Sequence, residues 1–204
     1  MTAADFYPTD VASFKRILDN LNKVVHVEHR LPLWPFRAPT GIVDICQYSH
    51  AIEGSFEPVL QALAAAHDDT TVSFAAMEPD PHYYRENYGS YPAFVLPAKS
   101  IGGRYWDAVS FEPIGDPTGS VAYTANVAAL VGSSGRWAVW AERSWDIALV
   151  LSQHRDGAWT SAGVEFVSVE NALANFTEPD FKTPLEENQR TSFIERFRRR
   201  GSGA

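Results

Sequence analysis

From Trp145 the chain alternates. Trp145, Ile147, Leu149 and Leu151 are large and apolar, while Asp146, Ala148, Val150 and Ser152 between them are smaller or more polar. A period of two places the first set on the better-buried face of a strand. Asp156-Gly157 follows, a dipeptide suited to the positive φ angles of a two-residue hairpin, and a return strand is expected over Trp159 to Val167. A strand before it starts at Trp137, after Gly132-Ser133-Ser134-Gly135, and turns near Glu142-Arg143-Ser144. The pattern predicts a β-meander over about 137–167. Within it Trp137 and Trp145 read as core, while Trp140 falls on the opposite face beside Arg136 and Glu142.

Elsewhere the apolar period changes to that of a helix. Val11, Phe14, Ile17, Leu18 and Leu21 recur at helical spacing after Thr9 or Asp10 as cap. Ser55 can cap a helix over 55–67, and Asp80 with Pro81 can open a short helix to Tyr88. Ser168 can start a helix to Phe176, and an arginine-rich helix is expected after Pro184. Val121 to Val131 leans helical because of its alanines. Strands are expected at Lys23–His29, Ile42–Tyr48, Thr71–Met77, Ala93–Leu96 and Tyr105–Phe111. Between Arg30 and Gly41, Pro32, Pro35 and Pro39 exclude regular structure.

Strands through the middle and helices at the ends, without regular βαβ alternation, predict an α+β fold. Its sheet should be mostly antiparallel, flanked by N-terminal, central and C-terminal helices. No repeat or linker divides the chain, so residues 1–200 are expected to form one domain, with 201–204 as a flexible tail.

Composition narrows the setting. The single cysteine, Cys46, forbids an intrachain disulfide, and MTAADFYPTD has no secretory pattern, so a cytoplasmic protein is expected. The net charge of −8 argues against nucleic acid as a partner. Charge is unevenly placed: RTSFIERFRRR, residues 190–200, carries a local +4, so the rest of the chain stands near −12. The basic run suits the last turns of a helix, with Phe193 and Phe197 on one face to dock it.

Dinucleotide, Walker, nucleophile-elbow and zincin motifs are absent, and there is no cysteine pair for zinc. No cofactor or metal is therefore expected. The turn at Gly132–Gly135 offers backbone amides for an anion but lacks a following lysine. His26-Val27-Glu28-His29 holds metal-ligating residue types. On a strand His26 and Glu28 share a face, but His29 points away, and metal sites need three or four ligands. Cys46, in an apolar context, reads as an inert buried thiol.

Aromatic residues carried on irregular segments are the remaining signal, because such side chains anchor protein interfaces. Trp34, Phe36, Tyr83, Tyr84, Tyr88, Trp106 and Trp140 are the candidate binding residues. The leading expectation is a non-enzymatic protein-binding module, immunity- or adaptor-like, whose acidic body meets a basic partner. The alternative is an enzyme or small-molecule binder with a cleft lined by Tyr83, Tyr84, Trp106 and a histidine such as His26 or His82. Strand addition at a meander edge is a third reading, and homo-oligomerisation is compatible with all three.

Overall fold

The computed structural model describes residues 7–38, 41–153, 159, 162–177 and 185–201. Helix α1 (Val11–Asn22) starts where Asp10 accepts a hydrogen bond from Ser13 N, and it buries Phe14, Ile17 and Leu21. Strand β1 (Ile42–Gln47) runs into a one-turn helix, α2 (Tyr48–Ala51). A short 3-10 turn, Gly54–Phe56, leads into α3 (Glu57–Ala66), so α3 begins two residues after the expected Ser55 cap. Next come β2 (Thr71–Glu78), α4 (Pro81–Tyr88) and β3 (Ala93–Pro97). Asp80 caps α4 by accepting from His82 N and Tyr83 N, and Gly89 closes it at φ 79°, in the left-handed region that glycine tolerates. The short helices α5 (Tyr105–Val109) and α6 (Val121–Thr124) precede β4 (Val127–Gly132), β5 (Trp137–Glu142) and β6 (Ile147–Ser152). Helix α7 (Val169–Ala172), capped by Ser168, and α8 (Glu187–Gly201) end the chain.

The six strands form one antiparallel sheet in the order β1-β6-β5-β4-β2-β3. This is the expected α+β architecture. The meander is β4-β5-β6, with Ala129 opposite Trp140 and Trp140 opposite Leu149. Its centre matches the sequence reading but its last strand does not. The position beside β6 is taken by β1, with Ile42 opposite Ser152 and Gln47 opposite Ile147. The Asp156-Gly157 turn lies outside the described residues. Of the return strand expected over Trp159 to Val167, the described part contributes a single bridge, Val167 to Ile45.

Every residue of β4, β5 and β6 is buried, because both faces of the sheet are covered. On the first face Trp137, Val139, Val150, Phe74 and Leu130 pack with α2, α3, α5 and α6. On the second face Trp140, Trp145, Ile147, Leu149 and Leu151 pack with α1, the proline segment, α7 and α8. The alternation read from Trp145 therefore separates two cores rather than a core from solvent.

Three further expectations change. Tyr105–Phe111 is not a strand: Tyr105, Ala108 and Val109 are the buried positions of α5, at helical spacing within a run too short to settle its period. Val121–Val131 is helical only over α6, Val121–Thr124, and becomes strand β4 from Val127; Ala128 and Ala129 fit the crowded middle of a doubly covered sheet. Lys23–His29 makes only the bridge Val25–Phe36 before turning back. No helix among the described residues is long and apolar enough to cross a membrane.

Candidate functional site

Three tryptophans of the sheet region end on carboxylates. Trp137 Nε1 donates to Asp69 Oδ2 at 2.6 Å, Trp140 Nε1 to Glu142 Oε2 at 3.2 Å, and Trp159 Nε1 to Asp44 Oδ2 at 2.9 Å. A buried indole N–H needs an acceptor, and these acids supply it. The sequence places Glu142 beside Trp140 on one face but gives none of the three acids this role; the signal is the tryptophans themselves, each with one donor to satisfy. Burial raises the pKa of Asp44 and of Glu142, against the pull of these donors. Asp69 also answers the question of the Gly132–Gly135 turn. Ser134 N and Ser133 Oγ donate to Asp69 Oδ1, so the turn's anion is the protein's own carboxylate. A Cβ at Gly132 would overlap both Asp69 and Trp137, which is why glycine stands there.

Beside this turn lies a hollow of about 400 Å³, open to solvent and lined by Asn20, Lys23, Thr71, Ser73 and Ser133 among others. Two further hollows lie beside Trp145 and Gln189 and beside Gln61 and Lys99. None of the three is lined by Tyr83, Tyr84, Trp106, His26 or His82. None of these three hollows is the cleft expected from those residues. Tyr84 is buried on the first face with its hydroxyl on Gly119 O, whereas His26 follows Val25, which is packed on the second.

Four of the seven candidate contact residues are corrected in the same way. Trp34, Phe36, Tyr84 and Trp140 are buried and cannot meet a partner from where they stand. Trp34 and Phe36 fold inward because the proline segment lies flat on the second face, where Trp34 packs against Phe36 and Phe197. Trp140 lies beneath that same layer. Tyr88 is half-buried, tilted against Tyr84. Tyr83 and Trp106 remain exposed, and Ile114 and Tyr123 join them at 60% and 67% exposure. The arginine-rich helix docks as expected: Phe193 stacks on Trp145 at 5.0 Å. The third reading loses the meander edge beside β6, which β1 occupies. Cys46 is an inert thiol, its pKa raised to about 12 by burial.

The segment His26–His29 has a geometry that strand alternation did not anticipate. Val24 N and Val25 N both bond to Leu21 O, carrying the chain off the end of α1, and His26 N donates to Pro35 O at 2.7 Å. His29 N then donates to His26 O at 2.9 Å, closing a four-residue turn. The turn brings together side chains that a strand would separate. The His26 and His29 rings stack with centroids 4.3 Å apart, and Glu28 Oε1 lies 3.7 Å from His26 Nδ1. His29 Nδ1 sits 2.7 Å from Trp34 O. Burial, Arg37 and His29 lower the His26 pKa, which favours the neutral ring. Arg30 holds the turn from behind by donating to Val27 O and His29 O, while its Nε lies 3.5 Å from Glu78 Oε2. No protein-family model, curated protein or solved structure matches this chain.

Proposed function

We propose that this chain is a non-catalytic protein-binding module, immunity- or adaptor-like, that meets a basic partner through the surface built by α4, the 113–119 loop and α6. The observation that carries this reading is the placement of Tyr83, Ile114 and Tyr123, all more than half exposed, on elements locked to one another. Tyr84 Oη donates to Gly119 O at 2.6 Å, and Asn126 N donates to Glu78 O at 2.7 Å. Exposed side chains on a rigid base lose little further backbone freedom on binding. Glu86, Glu112 and Asp116 are exposed on the same segments, while Arg85 is turned to Thr9 O. Exposed acids on these segments suit a cationic partner and speed encounter at low salt.

The test compares wild type with a Tyr83→Ser/Ile114→Ser/Tyr123→Ser variant in affinity capture from native lysate. A stoichiometric protein held by wild type, lost by the variant and weakened by salt supports the reading. Equal recovery by both proteins, or capture of nothing, overturns it.

A further inference from the structure

We propose that the His26–His29 turn binds one divalent transition-metal ion of the zinc class through His26, Glu28 and His29. One donor atom from each of these three residues lies within 4.8 Å of the other two. Two imidazoles and a carboxylate suit zinc, cobalt or nickel; magnesium and calcium prefer oxygen ligands alone.

An independent contact points the same way. A backbone carbonyl only accepts, so the 2.7 Å approach of His29 Nδ1 to Trp34 O places the ring proton on Nδ1. In the neutral ring Nε2 then carries the lone pair, and the ring cannot turn without breaking the bond. Metal-ligating histidines are held this way, by a carbonyl or carboxylate on the other nitrogen. The backbone is equally fixed, by His26 N on Pro35 O and by Arg30 on Val27 O and His29 O. The ligand side chains remain accessible, His26 at 29% and Glu28 at 65%, so water or a partner's side chain can complete the coordination. Arg37 is the nearby charge that opposes a cation, and Glu28 offsets it.

The stacked rings define what must move. A metal lies in the plane of each imidazole it binds, and two rings inclined by only 14° cannot both aim at one ion. His29 is held by Trp34 O, so His26 is the ring that swings out of the stack on binding.

The experiment uses the full chain without a polyhistidine tag. It is titrated with zinc chloride in a calorimeter and with cobalt chloride by visible absorption, with His26→Ala, His29→Ala and Glu28→Gln beside wild type. Thermal melting checks that each variant is folded. If His29→Ala fails to fold through loss of the Trp34 contact, His26→Ala, which has no such contact, carries the test. One equivalent should bind, with ring-proton resonances of His26 and His29 shifting together. Losing either imidazole should weaken binding by at least the roughly tenfold that follows loss of an outer-shell partner. No saturable binding, or binding equal in wild type and folded His26→Ala, overturns the proposal; the second result means an adventitious ion only, held by other surface groups.

Discussion

The two faces of the sheet are covered by different means. Over the first face lie short helices, and buried tyrosines latch them together: Tyr7 Oη donates to Ala108 O at 2.6 Å, Tyr84 Oη to Gly119 O, Tyr48 Oη to Ala125 O and Tyr105 Oη to Ala51 O. Over the second face, between α1 and α8, lies the irregular proline segment. Its backbone cannot satisfy itself as a helix would, and Leu31 N is instead met by Glu142 Oε2 at 2.9 Å. The same oxygen receives Trp140 Nε1, and Ser144 Oγ donates to the other carboxylate oxygen. The short helices of the first side are thus latched by neutral hydroxyls distributed over several elements, while Asp69 and Asp44 take the Trp137 and Trp159 indoles of that same core. On the other side one buried carboxylate, Glu142, ties the strap to the sheet below, beside contacts along the layer such as Arg37 N on Val24 O and Arg196 on Pro32 O. Regular elements can share the work of holding a face, whereas an irregular strap depends on a few side chains supplied from below.

The concentrated anchor should be the easier to break. The largest effect is expected for Trp140→Ala, which empties the middle of the second core and removes one of Glu142's donors. Loss of a buried tryptophan costs about 3–5 kcal/mol, read as a lower midpoint in urea. Glu86→Ala, at an exposed position of α4, is the control and should stay within about 0.5 kcal/mol. Glu142→Ala comes next. It leaves Leu31 N and the Trp140 indole without an acceptor, for about 2–3 kcal/mol. The loss should be local as well as global: amide exchange should quicken over residues 31–36 and stay unchanged in α3. Uniform acceleration across the chain would mean that Glu142 supports the sheet rather than the strap.

The same contrast explains what could be read from the sequence. The first turn of α1, the cap of α4 and the strands from Trp137 and Ile147 are legible because short-range chemistry determines them: Asp10, Asp80-Pro81 and alternation; Trp145, where that alternation begins, stands in the 3-10 turn before β6. Alternation could not show that both faces are buried, since small residues such as Ala148 and Ala138 look like a solvent face until helices are laid over them. Trp34 and Phe36 looked like display residues because prolines exclude helix and strand; prolines do not exclude an irregular chain pressed onto a core. The return strand at Trp159–Val167 failed because the pairing edge of β6 was claimed by β1, about a hundred residues earlier in the chain. Of the candidate binding residues, Tyr83 and Trp106 kept their exposure. The His26–His29 constellation is legible in the sequence but its geometry is not: on a strand His29 points away, on a turn it comes back.

On the first face, Tyr84→Phe removes one latch and keeps the ring. Loss of a single neutral hydrogen bond costs about 1 kcal/mol. The effect should be well below that of Glu142→Ala, because Tyr7, Tyr48 and Tyr105 still hold the layer. Equal losses in the two variants would erase the distinction between shared and concentrated anchoring.

The finest test is the pH dependence of the two faces. Burial raises the pKa of Tyr7, Tyr48 and Tyr105, so these latches stay neutral through ordinary pH and should contribute no slope there. Burial also raises Glu142, with Leu31 N, the Trp140 indole, Ser144 and Arg30 pulling the other way. A raised folded pKa means that the folded state binds the proton more tightly than the unfolded chain. Its contribution is complete below the unfolded glutamate value of about 4.3 and is lost as pH rises through the folded value. Glu142→Gln keeps an oxygen for Leu31 N and Trp140 but cannot titrate. Wild-type stability, measured against Glu142→Gln, should therefore fall as pH is raised from about 4.3 through the raised pKa of Glu142 and level off above it. Asp44, also raised by burial, is common to both proteins and cancels in the difference. A difference that grows in favour of wild type with rising pH would mean that the donors outweigh burial, making the charged carboxylate a source of stability for the strap rather than a cost.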